Sequence, residues 1–89
     1  MNLQELRTEI DNLDSELINI LSKRFIATRK IGQLKHQQNL EAVDTDRLNS
    51  IVENWINQSN EKEVNPELSL QIINTIHRFV VSEHRELKS

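Results

Sequence analysis

Cysteine is absent from the 89 residues. Neither a disulfide nor a thiolate metal site can therefore serve the chain, and a reducing compartment is expected. Glycine and proline occur once each, where ordinary usage gives about ten of the two together. Few tight turns can be built from that, which leaves long helices as the economical fold. Aromatic residues are one Trp and two Phe, too few for the stacking platforms that hold single-stranded nucleic acid. The net charge of −3 is the wrong sign for a nucleic-acid surface. No apolar run reaches the roughly 18 residues that span a bilayer. The opening Met1-Asn2-Leu3-Gln4-Glu5 is neither the basic nor the apolar part of a signal peptide. The expectation is a soluble cytoplasmic protein with no nucleic-acid or membrane partner.

What the chain does contain is helical periodicity. Residues 1–89 can form one small domain, of a size that buries only about 60–65% of its unfolded surface. Leu3, Leu6, Ile10, Leu13, Leu17, Ile20, Arg24, Ala27, Ile31 and Leu34 recur alternately three and four residues apart, an a/d seam over five heptads. A first helix from residue 3 to about 37 follows, with Gly32 its one weak interior residue at a cost of about 1 kcal/mol relative to Ala. Gln37-Gln38-Asn39 reads as a loop. Asp44 stands where an N-cap belongs, and Val43 with Leu48 fits a hydrophobic staple. Leu48, Ile51, Val52, Trp55 and Ile56 share one face, giving a second helix over about 45–58. Asn57 to Glu63 is polar and reads as a connection. Asn65-Pro66 starts a third helix, with Ile72, Ile73, Ile76, Phe79, Val80 and Leu87 as its apolar side. The fold class is all-α, three helices with a very long first one.

The length of the first helix bears on assembly. About 35 residues at 1.5 Å each make a rod of about 50 Å, whereas a compact chain of this size is roughly 30 Å across. Two short helices of the same chain cannot cover the whole seam. A second copy is the simplest cover, and two-fold dimers are the commonest oligomers. An intertwined homodimeric bundle is expected.

Chemistry is sparse. There is no glycine-rich phosphate loop and no histidine pair at metal-ligand spacing, and His36, His77 and His84 read as lying in different segments. No metal site and no cofactor are expected. One anomaly stands out: Arg24 occupies a seam position that calls for an aliphatic residue. Such an Arg can snorkel outward or pair with a core carboxylate, or it can belong to an anion site inside the bundle. Lys35 lies eleven residues on, three turns later, on nearly the same face. Thr28 and Ile31 line the strip between them, and no acidic residue of the first helix shares it. A dianionic ligand would supply the missing countercharge. Arg7 is near the opposite end of the rod and could join such a pocket only from an antiparallel second copy.

The segment LRTEIDNLDSELINILSKR, followed by IGQLK and VDTDR, resembles the all-helical, type II (AroQ-class) chorismate mutases. Their opening Leu-Arg-x-x-Ile-x-x-Leu-Asp is met by Leu6, Arg7, Ile10, Leu13 and Asp14, and the likeness runs without a gap to about His84. It implies two interleaved chains with two shared sites. It also implies rearrangement of chorismate to prephenate, a step of aromatic amino acid biosynthesis. That pericyclic reaction needs positioning of the enolpyruvyl arm and stabilisation of charge on the ether oxygen, without nucleophile, metal or cofactor.

Carried over by position, Arg24 and Arg7 of the second copy would hold the substrate carboxylates, in the bidentate geometry that suits arginine. Lys35 would donate to the ether oxygen and a carboxylate, with His84 as the second donor to that oxygen. Asp44 and Arg47 would close the ring end. Three positions depart from the family pattern. Leu48 stands where a glutamate usually binds the ring hydroxyl, Val80 where a serine commonly contacts a carboxylate, and His84 where glutamine or glutamate is usual. A hydroxyl left without a partner costs about 1–3 kcal/mol. Isochorismate-pyruvate lyase and 4-amino-4-deoxychorismate mutase, which carry an aliphatic residue at the Leu48 position, are therefore alternatives. So is a helical dimer that needs a partner enzyme or has lost catalysis.

Overall fold

The computed structural model describes residues 1–87 and consists of three helices, α1 (Leu3–Gln37), α2 (Thr45–Glu61) and α3 (Pro66–Glu86). Each start is fixed by a side-chain cap. The Asn2 Oδ1 accepts from the Glu5 N–H at 2.8 Å, and the Asn2 amide donates back to the Glu5 carboxylate at 3.2 Å. Asp44 accepts from the Arg47 N–H at 3.0 Å and Asn65 from the Glu67 N–H at 3.0 Å, with Pro66 opening α3. These bonds satisfy N–H groups that the first helical turn cannot.

The two reversals use the left-handed region in place of glycine. Asn39 has φ 56° and Glu63 φ 60°. At the end of α1, Leu40 N–H donates to the Lys35 carbonyl at 2.8 Å and Asn39 N–H to the His36 carbonyl at 3.2 Å. At the end of α2, Val64 N–H donates to the Ser59 carbonyl at 2.9 Å. These are Schellman-type ends. Asn tolerates that conformation better than most residues, which lets a chain with one glycine turn twice.

The expected end of α2 at residue 58 is corrected to Glu61. Its last turn is polar because most of it faces outward, but Ser59 is buried and donates to the Trp55 carbonyl at 2.7 Å. The Ser59 and Ser69 hydroxyls lie 2.6 Å apart, tying α2 to the start of α3. The apolar face of α2 is as expected: Leu48, Ile51, Val52, Trp55 and Ile56 are all half-buried. On α3 the expected face divides. Ile73, Ile76 and Val80 turn inward with Val81 and His84, whereas Ile72, Phe79 and Leu87 are exposed. The face that turns inward is displaced toward Val81 and His84, which leaves the Ile72 and Phe79 edge of the apolar arc exposed.

The molecule measures 55 × 23 × 14 Å, its long dimension set by α1. α3 packs against both other helices, while α1 and α2 make no close backbone approach. The buried apolar core among the described residues is only Ala42, Ile73, Ile76 and Val81. The seam of α1 is left open. Leu3, Leu6, Ile10, Leu13, Leu17 and Ile20 are 45–62% exposed. The stripe of α1 that loses exposure is a neighbouring one, Leu21, Arg24, Phe25, Thr28, Gly32 and Lys35. Arg24 therefore belongs to both stripes, at the border between what this chain covers and what it leaves bare. No helix among the described residues is long and apolar enough to cross a membrane.

Candidate active site

Where the inward stripe of α1 meets the start of α2 and the inner face of α3, a cleft of about 130 Å³ opens. That is close to the size of an engineered cavity that admits a benzene ring. Seven of the eight expected site residues line it: Arg24, Lys35, Asp44, Arg47, Leu48, Val80 and His84. The eighth, Arg7, lies seventeen residues before Arg24 on the same rod, roughly 25 Å away along the axis, and is exposed. Within one chain it is not part of the cleft.

The walls divide by chemistry. Ile31, Ile51, Leu48, Ile73 and Val80 are aliphatic. Arg24, Lys35 and Arg47 bring three cations against one carboxylate, Asp44. None of the three cations forms an ion pair among the described residues, where the salt bridge present is Arg29–Glu83 on the outside. Burial, and then the nearby Arg47 guanidinium, lower the pKa of Arg24 from its ordinary value. That is the mark of a cation held without an anion. Asp44 is committed through one oxygen to capping α2. Lys35 Nζ donates to the Ala42 carbonyl at 3.3 Å, which ties the 38–44 loop to α1 and aims the ammonium into the cleft with two donors free.

His84 is buried at 5% exposure. Its Nε2 lies 2.8 Å from the Thr28 carbonyl oxygen. A carbonyl can only accept, so Nε2 carries the proton and the tautomer is fixed. Nδ1 is buried with no partner. The expected role as a donor to the ligand is thereby narrowed. In the neutral ring the one N–H is already spent on Thr28, and only an imidazolium has a second N–H to offer.

The ring of His84 also accounts for the lone glycine. A Cβ on Gly32 would stand 2.5 Å from His84 Cδ2 and 2.8 Å from Nε2. Gly32 is the opening in α1 through which His84 reaches the Thr28 carbonyl.

His77 was missed as a site residue and misplaced as a segment. It and His84 share α3, seven residues apart and hence on one face, and both line the cleft. Burial, followed by the charges of Lys35, Arg24 and His84, lowers the pKa of His77. The signal available in the sequence was that seven-residue spacing within the segment opened by Pro66.

The helical scaffold thus gathers three cations without an ion-pair partner among the described residues around a ring-sized, aliphatic-walled cleft. Its sequence matches the family described as chorismate mutase type II over residues 6–85, and the chain belongs to that family. It is similar to the T-protein of Haemophilus influenzae, 42% identical over 45 residues, which cover 51% of this chain and 12% of that protein. It is also similar to the bifunctional chorismate mutase/prephenate dehydratase of Aquifex aeolicus, 34% identical over 59 residues, 66% of this chain and 16% of that protein. The chain thus spans less than a fifth of the length of either relative.

Proposed function

We propose that this chain is a chorismate mutase, rearranging chorismate to prephenate in two equivalent sites of a cytoplasmic homodimer. The observation that carries this reading is the set of three cations, Arg24, Lys35 and Arg47, that form no ion pair among the described residues and face a single carboxylate, Asp44, around a cleft fit for a six-membered ring. Arg24 and the partner's Arg7 hold the substrate's carboxylates, so that the enolpyruvyl arm lies folded over the ring. Lys35 faces the ether oxygen as the C–O bond breaks and negative charge develops there. His84, when protonated, keeps Nε2–H on Thr28 and offers Nδ1–H to the same oxygen. The open seam of α1 supports the dimer. Six large aliphatic side chains along it stand 45–62% exposed in the single chain, a contiguous apolar strip of the kind that marks an interaction face.

One experiment tests the activity and the shared site together. Turnover of chorismate is measured for the wild-type protein, for Arg7→Ala, for Arg24→Ala and for the two variants mixed. Each variant loses at least about a hundredfold, since each lacks a charged hydrogen bond in a dry site. The mixture recovers activity, because a heterodimer carries one intact site. No recovery after confirmed subunit exchange means that the sites are not shared.

Leu48 in the cleft wall favours a second reading, in which the substrate is isochorismate or 4-amino-4-deoxychorismate. Either would use the same cations and the same stabilisation of the ether oxygen. Turnover assays on the three compounds side by side decide between them.

A further inference from the structure

The polar groups of the cleft are nearly all accounted for. The Thr28 hydroxyl donates to the Phe25 carbonyl at 3.1 Å. His84 Nε2 is held by Thr28, Lys35 reaches Ala42, and Asp44 caps α2. Arg24 and Arg47 are cations, suited to carboxylates. A cyclic substrate also carries an uncharged polar substituent on its ring, and that group needs a donor and an acceptor of its own. Leu48 can offer neither. His77 can: it lines the cleft between Ile73 and Val80, is half-buried, and makes no hydrogen bond among the described residues.

We propose that His77 is the specificity-determining residue of the cleft, a neutral imidazole that reads the hydroxyl or amino substituent on the substrate's ring. This rests on the mutase-type reading above. A neutral imidazole offers one N–H and one lone pair, the pair of functions that a hydroxyl or an amine requires. Its surroundings keep it neutral in the free protein. Partial burial, and then Lys35 and Arg24 from α1 and His84 from α3, disfavour a positive charge on it. Arg47 from α2 faces the same cleft with the same sign, and the Asp44 carboxylate is held at the α2 cap. His77 also borders a larger open depression of about 510 Å³ lined by Val43, Arg78, Ser82 and Arg85. It thus stands between the cleft and this depression.

The alternative role for His77 is a fourth cation for the carboxylates, and the two roles separate in discrimination. The kcat/KM values for chorismate, isochorismate and 4-amino-4-deoxychorismate are measured for wild type, His77→Leu and His77→Gln. The expected result is that His77→Leu compresses the ratio between the best and the worst compound at least tenfold. The loss falls on KM more than on kcat, and His77→Gln, which keeps a donor and an acceptor, restores most of the ratio. An equal loss on all three compounds overturns the proposal and makes His77 a carboxylate ligand. An unchanged ratio overturns it too.

Binding keeps the question separate from the activity. Calorimetry compares a bicyclic ether dicarboxylate that mimics the rearranging substrate with its counterpart lacking the ring hydroxyl. The wild type should favour the hydroxylated form by tenfold or more, and His77→Leu should abolish that preference. If wild type turns over none of the three compounds, the proposed activity fails while the binding pair still decides. Equal wild-type affinity for the two, or no binding of either, overturns the role of His77.

Discussion

Replacing Gly32 by alanine puts the cleft's construction at stake, because two effects of opposite sign meet at one position. In an open helix the change should stabilise, since Ala is favoured over Gly by about 1 kcal/mol. Here the new methyl would stand 2.5 Å from His84 Cδ2, 2.8 Å from Nε2 and 3.2 Å from Cγ. The ring is 5% exposed and borders open space on the side of the cleft. If it stays, the overpacking costs about 1–3 kcal/mol. If it swings away, it leaves the Thr28 carbonyl and buries an unsatisfied N–H, also about 1–3 kcal/mol. Only one of these routes is taken, so the two do not add. Set against the propensity gain, the net destabilisation is about 0–2 kcal/mol. The sign should reverse when the ring is absent: in a His84→Ala background, Gly32→Ala should stabilise by up to about 1 kcal/mol. The coupling between the two sites is then about 1–3 kcal/mol, within the range found for residues in contact. Urea unfolding followed by circular dichroism measures all four proteins, at one fixed protein concentration because a dimer's stability depends on it. Stabilisation by Gly32→Ala alone, or an additive cycle, would refute the placement of His84 over Gly32.

The remaining predictions concern charge. Arg24→Ala should leave the unfolding midpoint unchanged or raise it, because it removes a half-buried cation that has no counterion and sits near Arg47. A large fall in the midpoint would make Arg24 a structural residue. Leu48→Glu should raise kcat/KM if chorismate is the substrate, by giving the ring hydroxyl an acceptor, and lower it if the substrate is isochorismate; steady-state assays on both compounds read the sign. The lowered pKa of His77 gives a pH signature in the ligand-free protein. The unfolded chain takes up that proton at the ordinary value of 6.5, above the folded value. The stabilising contribution is therefore complete above about pH 6.5 and is lost as the pH falls from there toward the folded value. Urea midpoints at pH 7.5, 6.5 and 5.5 should show a decline that is shallower in His77→Gln, and equal slopes would count against the cause assigned.

Much of this molecule was legible because its signals are local. The three helix starts were written in Asp44 and in Asn65-Pro66 and in the onset of the heptads, and caps act over three residues. The limits of α1 followed from an unbroken period. The second helix ended three residues beyond its predicted limit, because polar residues 59–61 look like a loop until Ser69 is known to receive Ser59. The face of α3 was misread for a related reason. Ile72, Ile73, Ile76, Phe79 and Val80 together span about a third of a helix circumference, and nothing in the spacing says which edge of that arc meets α1.

The site divides along the same line. Arg24 and Lys35 were visible from one helix alone, because a cation on an apolar stripe without a carboxylate is an electrostatic oddity wherever the neighbours lie. His84 was named as a site residue only through the family resemblance and His77 not at all, since a histidine takes its meaning from what faces it. His84 becomes a fixed tautomer only when α3 lies against the gap at Gly32 and Thr28 presents its carbonyl. His77 becomes a cleft residue only when α3's inner face is brought opposite Lys35 and Arg24. The glycine carried the most information and was the hardest to interpret. In the sequence it is a defect in an otherwise strong helix. In the fold its missing Cβ is the space His84 occupies, so the about 1 kcal/mol forgone in helix propensity is what allows the cleft to have its back wall.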